Sequence, residues 1–227
     1  METIKKTENN ITIKGKVEDS LLNAIRRYVN RIPVLAIDEV EIIKNDSPLY
    51  DETLAHRMGL VPLKIKKAAL KKETELELYS KAEGFVYSGD IKGELDVAYD
   101  KIPLTTLNKG GEVHVKASVK AGKGEDHSKF SPGFVYFREV FDVKADKDCP
   151  IEVIKKCPQN VFEEKAGKVS VRDSLKCDFC EECIDYCKKN KKDSIKITPT
   201  NELLITIESF GQMDIKDIFK ESIEVLK

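Results

Sequence analysis

The apolar residues that begin at Leu21 continue through Leu22, Ile25, Tyr28, Val29 and Ile32, the spacing of one face of a helix. Asp19 or Ser20 is placed to cap its start. Pro33 ends it by restricting the residue before it, and the unbroken apolar run Val34, Leu35, Ala36, Ile37 then reads as a buried strand. Asn45, Asp46, Ser47 and Pro48 make a loop, and Asp51 to Met58 predicts a second helix, acidic at its start and stopped by Gly59. Upstream, Ile11 to Val17 alternates as a strand does. Beyond Leu63, the stretches Leu76 to Tyr79, Glu94 to Ala98 and Glu112 to Val119 are short alternating segments parted by glycine and charged turns, a β-rich insertion. Leu203 to Ile207 predicts another strand. After Gly211 a last helix carries Ile215, Ile218, Phe219, Ile223 and Leu226 on one face, with Ser222 its polar interruption. Burying one such side chain stabilises by about 1.5 to 3 kcal/mol, so the stripe must be covered, by the chain's own strands or by a second subunit.

A chain of 227 residues has room for one good core or a few small ones. Charged residues make up 35% of it, yet 39 basic against 40 acidic side chains leave a net charge of -1, which argues against phosphate binding by the whole surface. Lys64, Lys66 and Lys67, and then Lys188, Lys189, Lys191 and Lys192, read as solvated clusters, and Arg26, Arg27 and Arg57 lie off or at the edge of the apolar faces. No segment reaches the roughly 18 to 20 apolar residues that cross a bilayer, and the first residues lack the apolar stretch of a signal peptide. A cytoplasmic protein without membrane contact is expected. Neither an acidic metal triplet nor a Gly-rich phosphate loop is present, so no catalytic residues are assigned. His127 is read as a loop hydrogen-bonding residue.

The chemistry is concentrated in the cysteines: all six fall between Cys149 and Cys187, a local clustering that in a reducing compartment favours metal over disulfides. Cys177, Cys180, Cys183 and Cys187 have the spacing of a bacterial ferredoxin run, whose fourth ligand to a given cluster comes from a distant Cys-Pro. Cys149 and Cys157 both precede proline. Cys157 fits better, because Val161-Phe162 and Val169 to Val171 flank a Lys165-Ala166-Gly167 turn, the hairpin expected between two ferredoxin half-motifs. The other ligands of a first run would fall at Lys147, Pro150 and Val153, so one set is incomplete. One iron-sulfur cluster, 3Fe-4S or 4Fe-4S, is therefore expected on Cys157, Cys177, Cys180 and Cys183. Cys149 and Cys187 are unassigned, as free thiols or a strained pair. Zinc is the competing metal, although its sites usually present two separated Cys-x-x-Cys pairs.

Asn23-Ala24-Ile25-Arg26-Arg27, Pro33, Ala36-Ile37-Asp38, Asn45, Ser47, Leu49, Asp51-Glu52, Ala55-His56-Arg57 and Gly59 to Leu63 closely resemble the N-terminal core of the alpha-like subunits of multisubunit RNA polymerases. Among these they look most like the archaeal D subunits. Gly124 to Pro132 resembles a second family segment. The resemblance implies an α+β chain whose ends, residues 1-41 and 194-227, form one discontinuous dimerisation domain, with a β-rich insertion at 42-146 and a ferredoxin-like iron-sulfur insertion at 147-193. It further implies a non-catalytic assembly subunit that pairs with subunit L through Leu22, Ile25, Tyr28, Val29, Ile215, Ile218, Phe219 and Ile223. Subunits N, P and B would dock on that platform, and DNA would be met only through the complex. The competing reading, carried by the cysteine run, is a single-cluster electron-transfer subunit of an oxidoreductase.

Overall fold

A computed structural model describes residues 1-65, 70 and 74-226; Lys66, Lys67 and Lys227 thus lie outside the described residues. The chain is mixed α/β and rich in sheet. Its first half runs β1 (Glu2–Lys6), β2 (Asn10–Gly15), α1 (Asp19–Tyr28), β3 (Val34–Asn45), α2 (Asp51–Gly59), β4 (Thr74–Ser80), β5 (Gly84–Tyr87), β6 (Ile91–Gly93) and β7 (Pro103–Leu107). Then follow β8 (Val113–Gly122), β9 (Gly133–Ala145), α3 (Val153–Lys156), β10 (Phe162–Lys165), β11 (Lys168–Val171), α4 (Glu182–Lys189), β12 (Ile195–Ser209) and α5 (Ile215–Leu226). These elements form two compact units, one of residues 1-5, 12-18 and 136-206, the other of residues 6-11, 19-135 and 207-227.

In the larger unit an antiparallel sheet has the order β3-β8-β4-β6. Period-two alternation builds its inner face, since Leu76 and Leu78 of β4 and Val113, Val115, Ala117 and Val119 of β8 are buried while Glu75, Glu77 and Tyr79 face out. Helix α2 closes that face with Leu54 and Met58, both fully buried. The register along β3 and β8 jumps between Ile37 and Glu39. Asp38 is thereby left unpaired, and Lys129 Nζ donates both to the Ile37 carbonyl, at 3.1 Å, and to Asp38 Oδ1, at 2.7 Å. That hydrogen bond holds the Asp38 carboxyl below the usual carboxylate range.

The expected segment Glu94 to Ala98 is corrected by the structure: it contains no strand, only a single bridge from Val97 to Leu63. Its apolar alternation has another cause, because Leu95 and Val97 dip into the core from successive bends after β6 ends at Gly93. Strands β1, β5, β6, β7 and β9 go beyond the expected elements, the first four being short or sparsely apolar; β5 and β7 pair as a separate small sheet.

Helices α1 and α5 pack together in this unit. Ser222, the polar residue on the α5 stripe, is fully buried and donates at 2.7 Å to the Phe219 carbonyl, so its hydroxyl is satisfied inside the apolar face. Gly133 allows a close backbone approach, since a Cβ there would lie 2.0 Å from the Glu208 carbonyl oxygen.

The smaller unit holds the sheet β1-β2-β12-β9 and the hairpin β10-β11. Ala166 and Gly167, with φ of 51° and 72°, supply the two left-handed residues that a tight hairpin turn requires. Phe141, Val143, Val153, Val161, Phe162, Val169 and Ile195 form its core together with five cysteines.

Leu54→Ala removes a fully buried side chain from under the sheet and is expected to lower unfolding free energy by about 2 to 5 kcal/mol in denaturant melts. Because the folded Asp38 carboxyl is depressed, its contribution to stability is present above the unfolded carboxylate value of about 3.9 and is lost as pH falls through the lower folded one. Asp38→Asn should therefore flatten the acid limb of a stability-versus-pH curve, measured by thermal unfolding at constant ionic strength.

Candidate functional site

Six cysteines separate in space into four and two. Cys157, Cys177, Cys180 and Cys183 line one small pocket whose apolar wall includes Val161, Phe162 and Ile197. Cys157 follows the short helix α3, and Cys177 follows a turn whose start is fixed by Asp173, which accepts from the Leu175 amide at 3.0 Å. Cys183 lies in the first turn of α4. Between these two the chain must double back quickly, and Phe179 and Glu181 both take left-handed conformations, with φ of 59° and 60°. Phe179 is held there by stacking on Phe141, ring centroids 4.9 Å apart.

Helix α4 buries Cys183 and Cys187, four residues apart on one face. One turn of helix, about 5.4 Å, separates the two positions along the axis. Cys183 therefore reaches the four-thiol pocket, whereas Cys187 neighbours Cys149, whose thiol lies 3.9 Å from the Pro150 carbonyl. All six are free thiols. Burial, reinforced by Cys187, pushes the Cys149 thiol up to about 12; burial, reinforced by Cys157, pushes Cys183 up to about 11. Cys177 and Cys180 are also raised by burial, with Asp178 adding to the effect. Burial thus favours the protonated form of Cys177, Cys180 and Cys183, and binding a cation to these thiols would release protons.

The donor set fits an iron-sulfur group: four sulfurs, an apolar wall and little room for water. Among the described residues no three His, Cys, Asp or Glu side chains close around one point as a single metal ion demands.

Supporting contacts surround the pocket that sequence reading missed. Gln159 Nε2 donates at 2.9 Å to Asp178 Oδ2, tying the Cys157 segment to the Cys177 turn, and the Cys180 amide donates at 3.3 Å to Asp178 Oδ1. Burial opposes ionisation of Asp178, but these bonds outweigh it and hold the carboxyl below its ordinary value. Arg138 of β9 donates at 2.8 Å to the Cys177 carbonyl and also to that of Leu175. The sole signal in the sequence was an Asp inside a Cys-x-x-Cys turn. Nothing nearby in the chain marks Gln159 or Arg138.

The helical face expected to meet a partner is divided. Leu22, Ile25, Val29, Ile215 and Ile218 are buried within this chain, whereas Tyr28, Phe219 and Ile223 are half-buried. Arg31 lies over the Tyr28 ring, 4.8 Å from its centroid. His127 Nδ1 accepts from the Lys129 amide at 3.1 Å, a loop-shaping bond, and its spatial neighbour across a cleft is His56 rather than His114. Among the described residues no helix is long and apolar enough to cross a membrane.

Residues 37-135 match the family described as the RNA polymerase Rpb3/RpoA insert domain. The DNA-directed RNA polymerase subunit Rpo3 of Archaeoglobus fulgidus is 31% identical over 92% of this chain and 86% of its own length. Rpo3 of Pyrococcus furiosus is 30% identical over 100% and 92%, and that of Methanothermobacter thermautotrophicus 31% over 97% and 91%. The chain belongs to this archaeal Rpo3 family of alpha-like polymerase subunits, which are non-catalytic members of a nucleotidyltransferase complex.

In metal-free protein at pH 8, a limiting thiol-alkylating reagent should modify Cys180 first, since it alone of the six is exposed, and Cys149 last. Peptide mapping by mass spectrometry checks the order; early labelling of Cys149 would contradict its burial.

Proposed function

We propose that the chain is the archaeal D subunit, an assembly subunit of DNA-dependent RNA polymerase that pairs with subunit L and then receives N, P and B. Family membership along nearly the whole chain carries this reading. The packing of α1 on α5 supports it: the helices complete each other's core and leave Tyr28, Phe219 and Ile223 half-covered, a remnant that a second subunit would seal. The pairing domain then takes in residues 1-41 and 194-227, with insertions at 42-146 and 147-193. The complex works in the cytoplasm and meets DNA through its other subunits.

We further propose that Cys157, Cys177, Cys180 and Cys183 hold one iron-sulfur cluster in a ferredoxin-like module. When bound, the group supplies covalent cross-links among segments distant in sequence, and with them folding free energy. Its role is structural in this reading: the hairpin β10-β11, helix α3 and helix α4 are short elements around a small core, and the thiols fasten them. Gln159 and Asp178 align two of the ligand segments, and the apolar wall limits water.

The test is anaerobic co-expression with L. Wild-type protein should co-purify with L and carry iron and sulfide. Phe219→Asp combined with Ile223→Asp should weaken L capture at least tenfold while leaving bound iron unchanged, and full L recovery would refute the assignment of that face. Cys183→Ser should lower iron and sulfide without abolishing L capture.

A further inference from the structure

We infer that Arg138 is a positioning residue for the cluster, a cationic strap that holds the ligand-bearing turn from the neighbouring strand; the inference rests on the cluster reading above. Of the two carbonyls it reaches, that of Leu175 lies two residues before the pocket and that of Cys177 belongs to one of the four pocket cysteines. Leu175 is held at both ends, its amide by Asp173 and its carbonyl by Arg138. The strand that carries Arg138 also carries Phe141, on whose ring Phe179 stacks. One stretch of β9 therefore grips the turn on either side of Cys177: by a charged fork at Leu175 and Cys177, and by an aromatic plate at Phe179.

The chemistry of the fork gives it two separable effects. A guanidinium is planar and always charged, so it satisfies two carbonyls at once, which a lysine ammonium on a flexible stem does less well. It also places a fixed positive charge on the backbone carbonyl of Cys177, one of the four pocket cysteines, and a charge there favours the more reduced, more negative state of a bound cluster. The geometric effect governs how firmly the turn is held. The electrostatic effect governs the potential.

The experiment uses the full chain co-expressed with L and loaded anaerobically. Arg138→Gln should release iron to an excess of chelator about three- to tenfold faster than wild type, as expected from losing hydrogen bonds from a charged donor. Its midpoint potential in a dye-mediated titration should move to a more negative value. Arg138→Lys keeps the charge, so the potential should return to the wild-type value while iron release is faster than wild type. Wild-type rates and potential in Arg138→Gln would overturn the proposal. If the wild-type chain binds no iron or sulfide, the cluster reading fails by itself. The strap is then decided in the metal-free protein by hydrogen exchange: faster exchange of the 175-180 amides in Arg138→Gln supports it, and unchanged protection refutes it.

Discussion

Helices α1 and α5 come from opposite ends of the chain, and the larger unit depends on their packing. Each alone would expose an apolar stripe; Leu22, Ile25 and Val29 on one side and Ile215 and Ile218 on the other are hidden once the two pack together. Closing so long a stretch of chain costs entropy that grows only slowly with its length. The intervening residues are free to differ in length and content provided that they bring the ends back. Such an arrangement explains how an alpha-like core can carry large insertions. It also means that truncating either end removes half of the same hydrophobic face.

The insertion rich in cysteine works on another scale. Its apolar side chains are few and its elements short, α3 spanning Val153–Lys156 and the hairpin strands four residues each. Small modules of this kind rarely gather enough buried surface to be stable without cross-links. The Gln159-Asp178 bond and the Phe141-Phe179 stack act on the same few residues, so local backbone strain at Phe179 and Glu181 is tolerated where it concentrates donors.

Sequence was most legible where one period dominated. The stripes of α1 and α5, the Asp51 start of α2 and the alternation in β4 and β8 are each clear, and each element stands within two residues of where its pattern begins. Glu94 to Ala98 misled because bends can bury every second residue as a strand does. Strands β5 and β7 were invisible because four or five residues with exposed Phe85 and Tyr87 carry no period of their own. Among the cysteines, spacing along the chain singled out the four that line the pocket. Long-range supports such as Arg138 could not be read, since a guanidinium reaching a carbonyl from another strand leaves no mark in local sequence. The division of the partner-facing stripe into closed and half-open positions was likewise hidden, for periodicity names a face without saying what covers it.

Helix α4 begins directly after Glu181, a non-glycine residue in the left-handed region. A helix is a ratchet with one tooth per turn, and Cys183 and Cys187 occupy successive teeth. Sliding it forward by one notch would present the wrong sulfur to the pocket and leave the right one facing Cys149. The awkward backbone at residue 181 is thus the pawl: it pins the phase of the helix and decides which of two chemically identical thiols looks inward.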